Sequence, residues 1–129
     1  MRLLSTLLFS AATALGMGSA LAQGGIDDPT RAPYYDSFVG KRVAYVPVAM
    51  GFDLTEGWAA GLRDALEPLG VTFDIRDPNW NTDAGAQVIT SLISEKPDVI
   101  VVHNPDVQSY ARLLRRAEEA GIYVVQVNM

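Results

Sequence analysis

The 129-residue sequence contains no cysteine and only one histidine, His103. It therefore has no disulfide, no thiolate metal site and no cysteine nucleophile, and it offers no residue for a lipoprotein anchor. It also lacks an H-E-x-x-H pair, a G-x-S-x-G turn and a G-x-G-x-x-G or P-loop pattern. These absences argue against the hydrolases and nucleotide-binding proteins that such motifs identify. We expect no metal, no cofactor and no catalytic residue.

Basic residues are also scarce. Ten Lys and Arg face fifteen Asp and Glu, for a formal net charge of −5, and the basic residues form no run. Nucleic-acid binding needs clustered cations against the phosphates, so a nucleic-acid partner is not expected.

The first 22 residues have the layout of a secretory signal peptide. A single cation, Arg2, precedes an apolar stretch from Leu3 to Met17, and Ala20-Leu21-Ala22 forms a small-residue cleavage site. The alternative is an uncleaved membrane anchor, but small residues and hydroxyls dilute the second half of the stretch. We expect cleavage after Ala22, export to the periplasm and no membrane span in the mature chain.

Residues 23–41 are rich in Gly, Pro and Asp and show no period, which predicts a leader that packs loosely on the domain through Tyr34, Tyr35 and Phe38. From there on, apolar runs of strand length alternate with segments of helical period. Strands are predicted at 42–50, 71–75, 98–102 and 122–129, and helices at 53–70, 82–96 and 106–120.

The βαβαβαβ order predicts an open α/β fold with one parallel sheet. The strands are continuously apolar, as strands buried on both faces are, and helical crossovers require parallel pairing. With right-handed crossovers the strand order is 2-1-3-4. The first helix would then lie on one face and the next two on the other, so one face would be half covered. A partner could complete it, but we favour an incomplete lobe at the front of a longer protein.

Ligands of open α/β sheets bind beyond the carboxyl ends of the strands, where the strand order reverses. The loops at that point are "AMGFDLT", from residue 49, and "HNPD", from residue 103, together with the end of the last strand. The candidate binding residues are Phe52, Asp53, Thr55, His103, Asn104 and Asn128. The loop "RDPNWN" after the second strand is expected to lie further out, with Trp80 packing on the surface.

Several of these residues also have a purely structural interpretation. Asn104 either contacts a ligand or begins a turn with Pro105, and Asp53 either caps the first helix or lines the pocket. Asp106 is expected to cap the third helix, and Trp58 to lie in the core. A lone histidine at a strand end is more often a pocket residue than a catalyst, so His103 is expected to line the wall of the ligand pocket.

With these segments placed, the chain resembles the amino-terminal lobe of type I periplasmic binding proteins of the ribose/galactose class. The likeness rests on "GWAAGLRDALEPLGV", on "IRDPNWNTDAGAQVITSLISEKPDVIVVHNPD" and on "ARLLRRAEEAGIYVVQVNM", and it covers residues 42–129. In that family the Asn before the Pro of the third loop and the polar residue that ends the fourth strand contact the sugar. These positions map to Asn104 and Asn128, and the aromatic first loop maps to 52–55.

The resemblance implies a receptor that binds a sugar or a related polyol and delivers it to the membrane permease of an ABC importer, without catalysis. The first loop departs from the family pattern because it lacks paired aromatics, and the fourth strand ends in Asn-Met rather than Asp-Arg. A sensory module for a chemoreceptor or sensor kinase would use the same lobe. An exported α/β hydrolase is a further alternative, but the strand-end loops hold neither Ser nor Cys as a nucleophile.

Overall fold

Four apolar runs form one parallel sheet in the computed structural model, which describes residues 31–105 and 108–127. The strands are β1 (Arg42–Val46), β2 (Thr72–Ile75), β3 (Val99–His103) and β4 (Tyr123–Val127). Their order is β2-β1-β3-β4 and every neighbouring pair is parallel. This confirms the predicted open sheet. The strand order reverses beside β1, so the carboxyl ends of β1 and β3 flank the switch point.

Helices connect the strands, as the 3.6-residue periods predict. They are α1 (Ala32–Asp36), α2 (Asp53–Leu66), α3 (Thr82–Glu95) and α4 (Ala111–Glu119). The α-helical part of α2 stops at Leu66 and a 3₁₀ turn, Glu67–Leu69, contains Pro68. A proline at this point removes an N–H donor, which explains the change of helix type. Gly70 and Gly121 follow helices with φ of 75° and 87°, a conformation that glycine adopts without steric cost.

The two faces of the sheet carry separate cores. On one face, β1 and β3 pack on α3 and α4 through a cluster that includes Val46, Ile89, Leu92, Ile100 and Leu114. On the other face, Tyr45 and Val101 contact α2 residues, among them Trp58. On this second face the side chains of Tyr123 and Val125 remain 77% and 46% exposed. A single helix therefore covers the second face only in part, as the handedness of the crossovers predicts.

Helix ends differ from the sequence predictions in two places. Asp53 is the first residue of α2 rather than its cap, since Phe52 occupies the N-cap position without a side-chain bond. Within the same helix, Leu54 is 41% exposed. The helix predicted to start at Asp106 starts at Ala111, with Tyr110 at its N-cap; Asp106 itself lies outside the described residues. Of the two residues that the sequence offers as the cap of α3, Thr82 and Asn81, it is Asn81 that caps the helix, because its Oδ1 accepts from the Ala84 N–H at 2.9 Å.

The residues before β1 are more regular than expected. Ala32–Asp36 form a short helix, and Tyr34 packs its ring against that of Phe38 at 4.9 Å. Phe38 packs on the core, whereas Tyr34 is 62% exposed. The predicted signal peptide and the rest of the leader lie outside the described residues. Within residues 31–105 and 108–127, no helix combines the length and the apolarity that crossing a membrane requires.

Candidate functional site

A cleft of about 530 Å³ lies at the carboxyl ends of the strands, where the strand order reverses. Its walls come from the loops after β1, β2 and β3 and from the start of α4. The lining residues are Val48, Phe52, Leu54, Trp80, Asn81, Thr82, His103, Asn104, Pro105 and Tyr110. None of these ten carries a carboxylate, an ammonium or a guanidinium group. The cleft therefore suits a neutral ligand.

The loop after β2 is fixed to the loop after β1. The backbone N–H of Trp80 donates to the carbonyl of Val48 at 2.8 Å, and Asn79 N–H donates to Asp77 Oδ1 at 2.7 Å. Asn79 and Trp80 have φ of 50° and 63°. Two successive non-glycine residues in the left-handed region are unusual and unfavourable, and such strain is typical of functional loops. Here the strained turn brings Trp80 to the cleft.

Two aromatic rings stack at the mouth of the cleft. The rings of Phe52 and Trp80 lie 5.3 Å apart at an angle of 21°. Trp80 remains 68% exposed, so most of its surface faces solvent. The loop after β2 was expected to lie further out, but the hydrogen bond to Val48 holds the end of this loop beside the cleft, while Trp80 itself is exposed as expected. The pair offers the flat apolar surface that the first loop alone lacks.

His103 forms part of the cleft wall at the end of β3. Its side chain is largely buried, and its ring lies 5.6 Å from that of Trp58. Burial lowers the pKa of His103 below its ordinary value, since the charged form loses hydration. Burial therefore favours the neutral imidazole. Among the described residues, no group of three potential metal ligands surrounds it or forms elsewhere.

Asn104 is the most deeply buried polar residue of the cleft, at 2% exposure. Its Nδ2 donates to Gln126 Oε1 at 3.1 Å. Its Oδ1 is also buried, and it has no hydrogen-bond partner within the part of the chain that the structure describes. Buried polar atoms are normally paired, so an unpaired acceptor in a cleft wall indicates a position for a donor from a ligand or a water molecule.

Two further candidates, Asp53 and Thr55, do not line the cleft. Asp53 is exposed in the first turn of α2. Thr55 is fully buried, and its hydroxyl donates to the Phe52 carbonyl at 3.3 Å, which fixes the first turn of the helix. Asn128 lies outside the described residues. The structure thus brings together Phe52, His103 and Asn104 from the predicted set.

Three residues near the site escaped the sequence analysis. The sequence analysis assigned Trp80 to the surface and gave Tyr110 and Gln126 no role in a binding site. The sequence did contain a signal for Trp80 and for Gln126. Trp80 is an aromatic residue in the polar loop just before α3, and Gln126 is an amide inside an otherwise apolar strand. Tyr110 gave no such signal, since its position fitted the helical period.

Comparison with solved structures finds the same fold. A solute-binding protein of an ABC transporter from Burkholderia graminis C4D1M, in complex with D-arabinose, is 24% identical, with a TM-score of 0.65 over 70% of this chain and 31% of that chain. Two solute-binding proteins from Agrobacterium vitis are 22% and 24% identical, with TM-scores of 0.62 and 0.63; they hold allitol and alpha-D-tagatopyranose. They cover 67% and 68% of this chain, which spans 30% of each.

Comparison with curated proteins finds no match. A family profile described as periplasmic binding protein domain matches residues 43–129, from the second residue of β1 through β4 to the last residue. This match includes the sheet except for Arg42, and it includes every described residue that lines the cleft. The chain therefore belongs to the periplasmic binding protein domain family.

Proposed function

We propose that the protein is an exported receptor for a neutral polyhydroxylated solute, a sugar or a related polyol, which binds in the cleft. The observation that carries the proposal is the pairing, in one cleft, of a buried acceptor without a partner, Asn104 Oδ1, with the stacked rings of Phe52 and Trp80. A sugar presents hydroxyl donors at its edge and C–H groups on its faces, so it can satisfy both at once.

The charge of the cleft supports this ligand class. Among the described residues, the lining contains no permanently charged side chain, and burial favours the neutral form of His103. A carboxylate, phosphate or ammonium ligand would therefore enter without a counter-charge, which is unfavourable in a partly buried site. The solved relatives in complex with D-arabinose, allitol and alpha-D-tagatopyranose support the same class.

Transport is the proposed use of this binding. The three solved relatives belong to ABC transporters, and this suggests that the receptor hands its solute to the permease of an ABC importer. The signal-peptide pattern of residues 1–22 and the family membership favour a periplasmic location. Protein recovered from the periplasm of an expressing bacterium is expected to begin at Gln23; an intact Met1 on that protein would contradict export by cleavage.

Binding can be tested on this protein by NMR titration with D-arabinose, D-tagatose and allitol. The described side of the cleft contacts a ligand from one direction, so we expect weak, millimolar binding and no heat signal at micromolar protein concentration. The amide signals of His103 and Asn104 and the Trp80 indole signal should shift, while those of α1 should not. If none of the three probes moves these signals at saturating concentration, the proposal is wrong, and micromolar binding would contradict the expected weakness.

A further inference from the structure

The Asn104 side chain lines the cleft, and one end of its amide is held by a hydrogen bond. Its Nδ2 is engaged by Gln126 Oε1 at 3.1 Å, while Oδ1 is buried and has no partner among the described residues. An amide has a donor end, Nδ2, and an acceptor end, Oδ1. When the donor end is held by another residue, the acceptor end is left for a group that donates. We infer that Gln126 is a positioning residue: by binding Asn104 Nδ2 it keeps Oδ1 toward the cleft and makes the site select a hydroxyl that donates. This inference rests on the proposed function.

The sheet register explains how two residues 22 positions apart reach each other. Val102 of β3 pairs with Gln126 of β4, and Asn104 follows two residues beyond Val102. Side chains two residues apart along a strand direction share a face, so Gln126 and Asn104 are diagonal neighbours within reach of a long side chain. Gln126 interrupts a strand that is otherwise apolar, Tyr123–Val127. The Gln126 residue is exposed, so its side chain is not held in place by burial in the core. The hydrogen bond that it accepts from Asn104 Nδ2 is what positions it.

A glutamine can itself turn and donate its Nε2 to Asn104 Oδ1, which would direct Nδ2 into the cleft instead. Two substitutions separate these arrangements. Gln126→Glu leaves an acceptor only and keeps the arrangement observed here, whereas Gln126→Lys leaves a donor only and reverses it. Gln126→Met removes the hydrogen bond while keeping a side chain of similar length.

The test is a titration of each variant with whichever of D-arabinose, D-tagatose and allitol binds the native protein most tightly. We expect Gln126→Glu to retain native affinity within about twofold, Gln126→Met to weaken it about fivefold, and Gln126→Lys to weaken it tenfold or more. In an Asn104→Ala background the Gln126→Met substitution should have no further effect, since Gln126 acts only through Asn104. Equal affinities of the Glu and Lys variants, or additive effects of Asn104→Ala and Gln126→Met, would overturn the inference.

The affinity for deoxyfluoro derivatives of the same sugar provides a second readout. It would not depend on the fluorinated position if Asn104 and Gln126 had a purely structural role. Fluorine accepts weakly but does not donate, so replacing the hydroxyl that meets Oδ1 by fluorine should weaken binding as much as deleting it. If the fluoro derivative keeps native affinity at every position whose deletion matters, Asn104 does not act as an acceptor and the inference is wrong. Failure of all three unmodified probes to bind would instead contradict the proposed function itself.

The orientation can also be checked without ligand. The Asn104 side-chain amide protons should exchange slowly in the native protein and in Gln126→Glu, and faster in Gln126→Met. Identical exchange in all three proteins would overturn the positioning role independently of any sugar.

Discussion

The phenol of Tyr110 occupies the space that a β-carbon on Gly85 would need. The Tyr110 hydroxyl donates to the Thr82 carbonyl at 3.2 Å, so the residue before α4 is held against the first turn of α3. Tyr110 is 2% exposed and lines the cleft. The close approach of these two helices therefore shapes one wall of the site, and it depends on a residue without a side chain.

Gly85→Ala should destabilise the protein. Its methyl group would overlap a buried ring that has little room to move, and overpacking of this kind costs about 1–3 kcal/mol. Urea unfolding measures the free energy of unfolding. Gly61→Ala is the matched control, because Gly61 lies inside α2 with nothing within 4 Å of its added carbon. In that control the free energy of unfolding should rise by about 0.5–1 kcal/mol, because alanine has a higher helix propensity than glycine. A Gly85→Ala protein as stable as the control would show that Tyr110 is free to shift.

Two buried tyrosines should respond in opposite ways to loss of their hydroxyl. Tyr45 is fully buried, its hydroxyl has no partner among the described residues, and burial raises its pKa to about 12. Tyr110 donates to Thr82. Tyr45→Phe should therefore raise the free energy of unfolding by about 1 kcal/mol, and Tyr110→Phe should lower it by about 1 kcal/mol. Chemical denaturation of the two variants side by side is the measurement; a loss of stability in Tyr45→Phe would contradict the unpaired hydroxyl.

The free energy of unfolding should decrease as the pH is lowered through the range where His103 titrates. Burial holds its pKa in the folded state below the unfolded value of about 6.5. Between the two pKa values the unfolded chain binds more protons, so the free energy of unfolding decreases as pH drops from about 6.5 to the folded pKa and then levels. Asp98, whose carboxylate accepts from the Arg42 N–H and has a lowered pKa, adds its own loss only at more acidic pH.

The check is the free energy of unfolding from pH 7.5 down to the acidic side of neutrality, for the native protein and for His103→Gln. The variant should show a flatter dependence over this range because it has lost the titrating group. An unchanged slope in His103→Gln would assign the dependence to other residues.

Trp80→Ala should weaken sugar binding with little effect on stability. Removal of the exposed indole eliminates one of the two stacked rings, and we expect a loss of about tenfold in affinity, equivalent to about 1.4 kcal/mol. Tyr123→Ala is the control, since Tyr123 is even more exposed, at 77%, and does not line the cleft. NMR titration of both variants with D-arabinose gives the comparison. Equal affinities would remove Trp80 from the binding surface.

The sheet and its strand order could be predicted because they depend on local signals. Apolar runs such as Val99–His103 form strands wherever they are buried on both faces, and right-handed crossovers leave few topologies. The cap of α3 by Asn81 was equally local. The start of α4 was not, because Tyr110 is held by a bond to Thr82, 28 residues away, and the helical period alone does not contain that contact.

Sequence alone thus determined a parallel α/β sheet with its candidate loops at one edge, since hydrophobic periodicity and chain handedness act over short distances. Only the tertiary structure decided which side chains meet there. The contact of Trp80 with Val48 depends on a left-handed turn, and that of Asn104 with Gln126 depends on the register of β3 and β4. Backbone conformation in loops and pairing between distant strands are set by the packed whole, and no local pattern encodes them.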